Sequence, residues 1–322
     1  MKTKKPDIFL GITMGMLVLA AVLCLVILLV QSKGTDPSGS DPGQVVLGSD
    51  TQNTGETGNS GETGDVKPSD STPPETEAPD PIDADGLKAA LKDSLKGLTS
   101  EWQVAVIDPT DNTKVYATAN CKSDDWMTAN RMPAVFIMGA AYQQVKDGTL
   151  TRDQIKDDVT AMIAKGDLEA ADRLTELVGG GDAAKGRETV KKFATDNNTQ
   201  LGFNRPLSKT GDRPNYMTAK QAALILQKLS RGKLVSSKNS TRMMDALLSA
   251  GTGDIEVELP DGAKAGLVND IEEGTCICTM GVIRLQNRDV VISVVCNLPV
   301  TTDGAKKKVA ELINVTLPFF AD

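Results

Sequence analysis

The sequence predicts an α+β fold, an α/β sandwich in which both ends of one domain complete an antiparallel sheet and an all-helical subdomain is inserted between them. Alternation of apolar and polar residues predicts a pair of strands near the start of the domain, and two β-rich runs predict a hairpin near its end, each pair joined by a turn. These strands are expected at residues 103–107, 115–119, 275–285 and 289–298. The patterns between the two pairs, through Leu248, are mostly helical.

The N-terminal residues predict a membrane anchor. Residues 1–7 carry three lysines, and the 23 residues of 8–30 carry no charge. As a helix this run would extend about 35 Å, enough to cross a hydrocarbon core of about 30 Å. It is longer than the apolar part of a cleaved signal peptide, and six apolar residues follow Cys24, which argues against a lipoprotein. We therefore expect a single-pass protein of the cytoplasmic membrane, with its N-terminus inside and its C-terminal domain outside.

Two further segments follow the anchor. Residues 31–82 are rich in Gly, Ser, Thr, Pro, Asp and Glu, with few aliphatic residues, and predict a disordered acidic linker. Residues 83–322 have a globular composition and are long enough for one large domain or two interleaved subdomains. Within them, helices are expected at residues 85–98, 132–145 and 304–314.

Composition excludes several classes of function. The chain contains no histidine, which excludes Ser-His-Asp and Cys-His nucleophile pairs and sites that bind zinc or haem through histidine. Its net charge of -8 argues against nucleic acid as a partner. No CxxC pair occurs, so neither a four-thiolate zinc site nor an iron–sulfur cluster is expected, and we predict no metal and no cofactor.

Four cysteines lie beyond the predicted anchor, where disulfides are permitted. If Asn287 centres the last hairpin turn, Cys278 and Cys296 fall opposite each other, and a disulfide between them is our preferred hypothesis. The alternative is that all four thiols are free and buried.

Four segments carry a family resemblance, in the order 134–155, 162–180, 213–236 and 259–266. They resemble, respectively, the helix after the nucleophile, the Ser-Asp-Asn segment, the Asn-Tyr-Thr-Thr-Ala helix start with its following helix, and the Lys-Thr-Gly strand of class A β-lactamases and penicillin-recognising serine transpeptidases. The resemblance covers nearly all of residues 85–320. It implies a β-lactamase/transpeptidase-like fold and, in active members, acyl transfer by serine.

The catalytic residues that the resemblance implies are missing. The family needs a serine and, one helical turn later, a lysine. Within residues 128–134, one register puts Arg131 and Ala134 at these two positions, and a second register puts Asn130 and Pro133 there. Neither register supplies a serine or a lysine, although the window does contain a threonine.

The other two motifs are also degenerate, and no segment matches the glutamate-bearing loop of class A enzymes. The Ser-Asp-Asn equivalent reads Gly-Asp-Leu and keeps only the aspartate, while the Lys-Thr-Gly equivalent reads Lys-Ala-Gly and lacks the hydroxyl. Acyl transfer by the family mechanism should therefore be negligible. The degenerate motif positions are Arg131, Ala134, Gly166, Asp167, Leu168, Lys264, Ala265 and Gly266.

These observations predict a pseudoenzyme that acts as a non-catalytic binding or regulatory module at the cell envelope. Lys264 and Asp167 are its possible ligand-binding residues, with a cell-wall peptide or an envelope protein as partner. The alternative for these residues is that Asp167 caps its helix while Lys264 is solvated or paired. The alternative function is an active serine β-lactamase or a cell-wall peptide hydrolase or transpeptidase with a displaced nucleophile, and a decayed copy without a role is a third possibility.

Overall fold

The computed structural model describes residues 79–211 and 213–321. One helix followed by strands begins the domain, strands followed by one helix end it, and most of its middle is helical. The helices are α1 (Ala84–Ser94), α2 (Ala134–Lys146), α3 (Arg152–Lys165), α4 (Leu168–Val178), α5 (Ala183–Asp196), α6 (Ala219–Ser230), α7 (Ser237–Leu248) and α8 (Thr302–Thr316), with a 3-10 turn at Leu317–Phe319. The strands are β1 (Glu101–Ile107), β2 (Lys114–Ala119), β3 (Met127–Thr128), β4 (Tyr216–Met217), β5 (Lys264–Glu272), β6 (Cys276–Arg284) and β7 (Asp289–Asn297).

The main sheet confirms the predicted fold class. Its order is β2-β1-β7-β6-β5, and every neighbouring pair is antiparallel. Strands from the start of the domain therefore pair with strands from its end, and helices α2 to α7 lie between them in the chain. β3 and β4 form a separate two-stranded sheet inside this helical insertion.

Both faces of the main sheet are buried. On one face β7 presents Ile292 and Val294 to a core shared with α1 and α8, and on the other Val291 and Val295 enter a core shared with α2 to α7. A strand covered on both faces needs apolar residues at successive positions rather than at alternate ones. This explains why seven successive residues of β7, Val290 to Cys296, are buried.

The register of the β6–β7 hairpin rules out the preferred disulfide. Cys278 lies opposite Val295, and Cys296 lies opposite Ile277, so the turn is centred between residues 286 and 287 rather than on Asn287. A shift of one residue moves a side chain to the other face of a sheet. Cys278 therefore points into one core and Cys296 into the other, and the four cysteines of the described residues are free. Three of these thiols are buried and Cys121 is half-buried, which is close to the alternative of four free and buried thiols.

Several predictions about the N-terminal part concern residues outside those the structure describes. These are the cytoplasmic tail (1–7), the transmembrane anchor (8–30) and all but the last residues of the linker (31–82). Across residues 79–211 and 213–321, no helix combines the length and the apolar character that crossing a membrane requires.

Candidate functional site

The degenerate nucleophile segment lies where helix α2 enters the helical core. Nine successive residues at the start of α2, Ala134 to Tyr142, are buried, so the helix is fixed on all sides. Just before it, β3 pairs with β4, with Met127 opposite Met217. Residues 130 and 131 are therefore held between the β4 segment and the edge strand β5.

Asn130 and Asn215 lock this segment in place. The Asn215 side chain donates to the Asn130 carbonyl oxygen at 2.8 Å, and the Asn215 backbone N–H donates to Asn130 Oδ1 at 3.1 Å. Asn215 Oδ1 also accepts the backbone N–H groups of Asn204 at 2.8 Å and Arg205 at 3.0 Å. Asn215 is fully buried, so these bonds cannot be exchanged for bonds to water.

The backbone N–H of Arg131 donates a hydrogen bond to a buried carboxylate. The Arg131 N–H donates to Asp270 Oδ2 at 2.8 Å, and Arg131 Nε lies 3.8 Å from Asp270 Oδ1. Asp270 has no exposed surface, whereas the Arg131 side chain is 39% exposed. Burial raises the pKa of Asp270 from 3.8 to about 6, although the Arg131 N–H and guanidinium act in the opposite direction. An N–H engaged by an anion is not available to stabilise a developing oxyanion.

A second acidic residue extends the network to Arg205. Glu272 Oε2 accepts from Arg205 Nη2 at 3.1 Å and from the Asn130 side-chain amide. Glu272 thus occupies the space beside Asn130 with a paired charge. Two arginines and two carboxylates fill the region next to the nucleophile position, and this arrangement contains no hydroxyl that could be acylated.

The Gly-Asp-Leu segment is a helix junction. Gly166 ends α3 with φ of 65°, a left-handed conformation that favours glycine. Asp167 is the N-cap of α4, and its Oδ1 accepts the Ala170 N–H at 3.0 Å. Leu168 is the first residue of that helix. This cap gives Asp167 a structural role, which is the alternative that the sequence analysis offered for it.

The Lys-Ala-Gly segment is not at this site, so its assignment as the Lys-Thr-Gly equivalent is wrong. Lys264 begins β5 and is exposed, while Asp270, which contacts Arg131, lies six residues further along the strand. At about 3.3 Å per residue this separates Lys264 from the Asp270 position by roughly 20 Å. Ala265 is buried, and Gly266 packs against the end of α7.

The strand residues that do reach the site, Asp270 and Glu272, were missed by the sequence analysis. The pattern that could have found them is two acidic residues at alternate positions near the end of a strand, shortly before a turn at Gly274. Charged residues on the buried face of a strand need partners, and the arginines supply them here.

The Lys-Ala-Gly segment gives a first testable prediction. A Cβ on residue 266 would lie 2.4 Å from the Leu247 carbonyl oxygen, so Gly266→Ala should destabilise the protein by about 1–3 kcal/mol. Lys264→Ala, two residues away and exposed, should change stability by less than about 0.5 kcal/mol. Urea unfolding of the two variants measures the difference, and a larger loss for Lys264→Ala would show that this lysine has a structural partner.

Three of the thiols, those of Cys121, Cys278 and Cys296, are poorly suited to act as nucleophiles. Burial is the main reason that the pKa of Cys278 is raised well above its usual range and that the pKa of Cys296 is raised to about 12. Burial and nearby acidic residues also raise the pKa of the half-buried Cys121 to about 11. Since the thiolate is the reactive form, these raised pKa values disfavour all three cysteines as nucleophiles at neutral pH.

Comparisons with known proteins agree with this fold. A β-lactamase from Sphaerobacter thermophilus DSM 20745 matches at a TM-score of 0.61 and 18% identity, over 73% of this chain and 97% of that chain. The TLA-1 extended-spectrum β-lactamase matches at a TM-score of 0.64 and 17% identity, over 74% of this chain and 99% of that chain. A class A β-lactamase from Bacteroides cellulosilyticus DSM 14838 matches at a TM-score of 0.63 and 15% identity, over 75% of this chain and 99% of that chain.

These structural likenesses establish the fold, and the family follows from the sequence. No curated protein matches the chain significantly. The model of the beta-lactamase enzyme family matches residues 152–315, about half of the chain, from α3 to the last turn of α8. The chain therefore belongs to the beta-lactamase enzyme family.

Proposed function

We propose that this protein is a non-catalytic member of its family, held outside the cytoplasmic membrane by residues 8–30, and that it acts as a binding or regulatory module at the cell envelope. The observation that carries the proposal is the contact between Arg131 and Asp270. In the register that puts Arg131 at the nucleophile position, a buried carboxylate accepts the N–H that an acyl-transfer site would leave free for its oxyanion.

The alternative, a hydrolase with a displaced nucleophile, has less support. Ser230 begins an S-x-x-K string with Lys233, but Ser230 is the last residue of α6 and its hydroxyl donates to Asp289 Oδ2 at 2.6 Å. The motif requires its lysine one helical turn after the serine, whereas Lys233 lies beyond the end of the helix.

Arg131 is the residue that we expect to bind a ligand. Its side chain is 39% exposed, and its nearest anionic contact, to Asp270, is a long one of 3.8 Å. An arginine held this loosely can form a bidentate pair with an incoming carboxylate. A cell-wall peptide with a free C-terminal carboxylate is the ligand class that fits. Lys264 lies at the opposite end of β5 from Asp270, too far away to share this role.

Calorimetric titration of the full chain in detergent tests the proposal. We expect a wall stem peptide with a free C-terminus to bind, and the same peptide with an amidated C-terminus to bind at least about tenfold more weakly, because a charged pair contributes roughly 1.5–3 kcal/mol. Arg131→Ala should weaken binding similarly, whereas Lys264→Ala, the loss of another exposed cation, should not. Equal binding by the two peptides, or no binding, would contradict the assignment of this ligand.

A further inference from the structure

One face of the β5–β6 hairpin carries four residues whose side chains are suited to bind a metal. The register pairs Asp270 with Cys278 and Glu272 with Cys276. Residues two apart on a strand share a face, and directly paired residues across an antiparallel ladder have Cβ atoms about 4.5–5.5 Å apart. Two sulfur donors and two carboxylates therefore form a compact set beside Arg131.

Three of these donors already lie close together. The Sγ atoms of Cys276 and Cys278 and a carboxylate oxygen of Asp270 are all within 4.8 Å of one another, and all three residues are buried. Cys276 Sγ is 3.8 Å from Asp270 Oδ2. Tetrahedral zinc with bonds of about 2.3 Å to sulfur and about 2.0 Å to oxygen requires ligand–ligand separations of about 3.5–3.8 Å. Small side-chain rotations would bring the three donors to this geometry.

A second, independent observation points to a ligand. Asp270 Oδ1 is buried and accepts no hydrogen bond, and its one ionic contact is Arg131 Nε at 3.8 Å. A buried carboxylate oxygen without a hydrogen bond is costly, and it is explained if the oxygen binds an ion. Arg131 and Arg205 would balance the charge of a loaded site, since two thiolates and two carboxylates exceed the charge of a divalent ion by two.

We propose that Asp270, Cys276 and Cys278 bind a zinc ion, with the Glu272 carboxylate as the fourth ligand. Two thiolates with carboxylate oxygens select zinc over magnesium or calcium, which prefer oxygen alone. The ion takes the place of the two thiol protons, which are released to solvent on binding. Glu272 is the entry point, because its side chain is 25% exposed while the three other donors are buried.

The CxxC spacing rule did not reveal this site because its two cysteines are separated by a single residue. On a strand, a Cys-x-Cys pair places both sulfurs on the same face, and the paired strand supplies the remaining ligands. The inference is independent of the peptide binding proposed above. A zinc ion here would hold the Arg131 segment to the hairpin as a structural link, without taking part in acyl transfer.

The test uses the full chain, purified in a non-ionic detergent under reducing conditions and equilibrated with zinc. After free metal is removed, elemental analysis should find one zinc per chain. Replacing zinc with cadmium should produce the ultraviolet charge-transfer band of cadmium thiolates. Cys276→Ala and Cys278→Ala should each weaken zinc binding by more than about 100-fold. Even the loss of a residue that only hydrogen-bonds to a metal ligand lowers metal affinity by about 10–100-fold.

Cys296→Ala is the matched control. Cys296 is as fully buried as Cys276, yet it points into the opposite core, so its loss should leave zinc affinity and the cadmium band unchanged. Circular dichroism checks that each variant is folded. If Cys276→Ala does not fold, Cys276→Ser, whose side chain has nearly the same volume as cysteine, replaces it in the test. Failure of the full chain to retain zinc, or equal losses for Cys276→Ala and Cys296→Ala, would overturn the proposal.

Discussion

Asn215→Ala is expected to destabilise the protein by roughly 3–5 kcal/mol. The substitution leaves several buried polar groups without a hydrogen bond, and each such group costs about 1–3 kcal/mol of stability. The groups left without their partner are the Asn130 carbonyl and the N–H groups of Asn204 and Arg205. Denaturant unfolding of the full chain, compared at the transition midpoint, measures the loss. The variant should also loosen the segment that carries Arg131, since Asn215 is its main polar support.

The control for this prediction is Asn204→Ala, the same substitution in the same segment. The Asn204 side chain is exposed, and its one hydrogen bond, to the Pro214 carbonyl at 2.8 Å, can be replaced by a bond to water. We expect a loss below about 1 kcal/mol. Comparable losses for the two variants would show that Asn215 does not organise the site.

Asp270→Asn is expected to remove a pH dependence of stability worth about 3 kcal/mol. The folded pKa of Asp270 is about 6 against 3.8 for the free group, and each unit corresponds to about 1.4 kcal/mol. Because the raised pKa means that the native state binds the proton more tightly, this contribution is fully present below about pH 4. It is lost as pH rises through 6, where the buried carboxylate must ionise.

Unfolding of the wild type and of Asp270→Asn from pH 4 to pH 7, both in a chelating buffer, tests this sign. The difference between the two proteins cancels the titration of the other carboxylates. It should favour the variant increasingly as pH rises. Asp261→Asn, at an exposed residue of the loop before β5, should shift stability by less than about 0.5 kcal/mol at any pH. A difference that shrinks with rising pH would mean that Asp270 is stabilised as a carboxylate.

Much of the fold could be predicted because its patterns are local. The apolar run of α2 and the β-rich runs of β6 and β7 depend on neighbouring residues, and their observed bounds lie within about two residues of the prediction. The hairpin register was harder, because a turn centred between residues 286 and 287 differs by half a residue from one centred on Asn287. That small difference reverses which face Cys296 occupies.

The candidate site could be predicted only in part. Arg131 was found because it stands beside a recognisable helix, and the structure puts it at the edge of the sheet. Asp270 was missed because it meets Arg131 across 139 residues of sequence, and no local pattern reports such a contact. Lys264 was chosen instead because it matched a short string, although the strand carries it away from the site.

The most direct test of the central claim is intact-mass spectrometry of the full chain after incubation with a penicillin, with an active class A β-lactamase treated in parallel. If Arg131 occupies the nucleophile position and Asp270 holds its N–H, the chain should gain no acyl mass while the active enzyme does. It should also fail to hydrolyse a chromogenic cephalosporin. A stable adduct, mapped by peptide sequencing to any serine or threonine of residues 79–321, would contradict the account and identify the nucleophile.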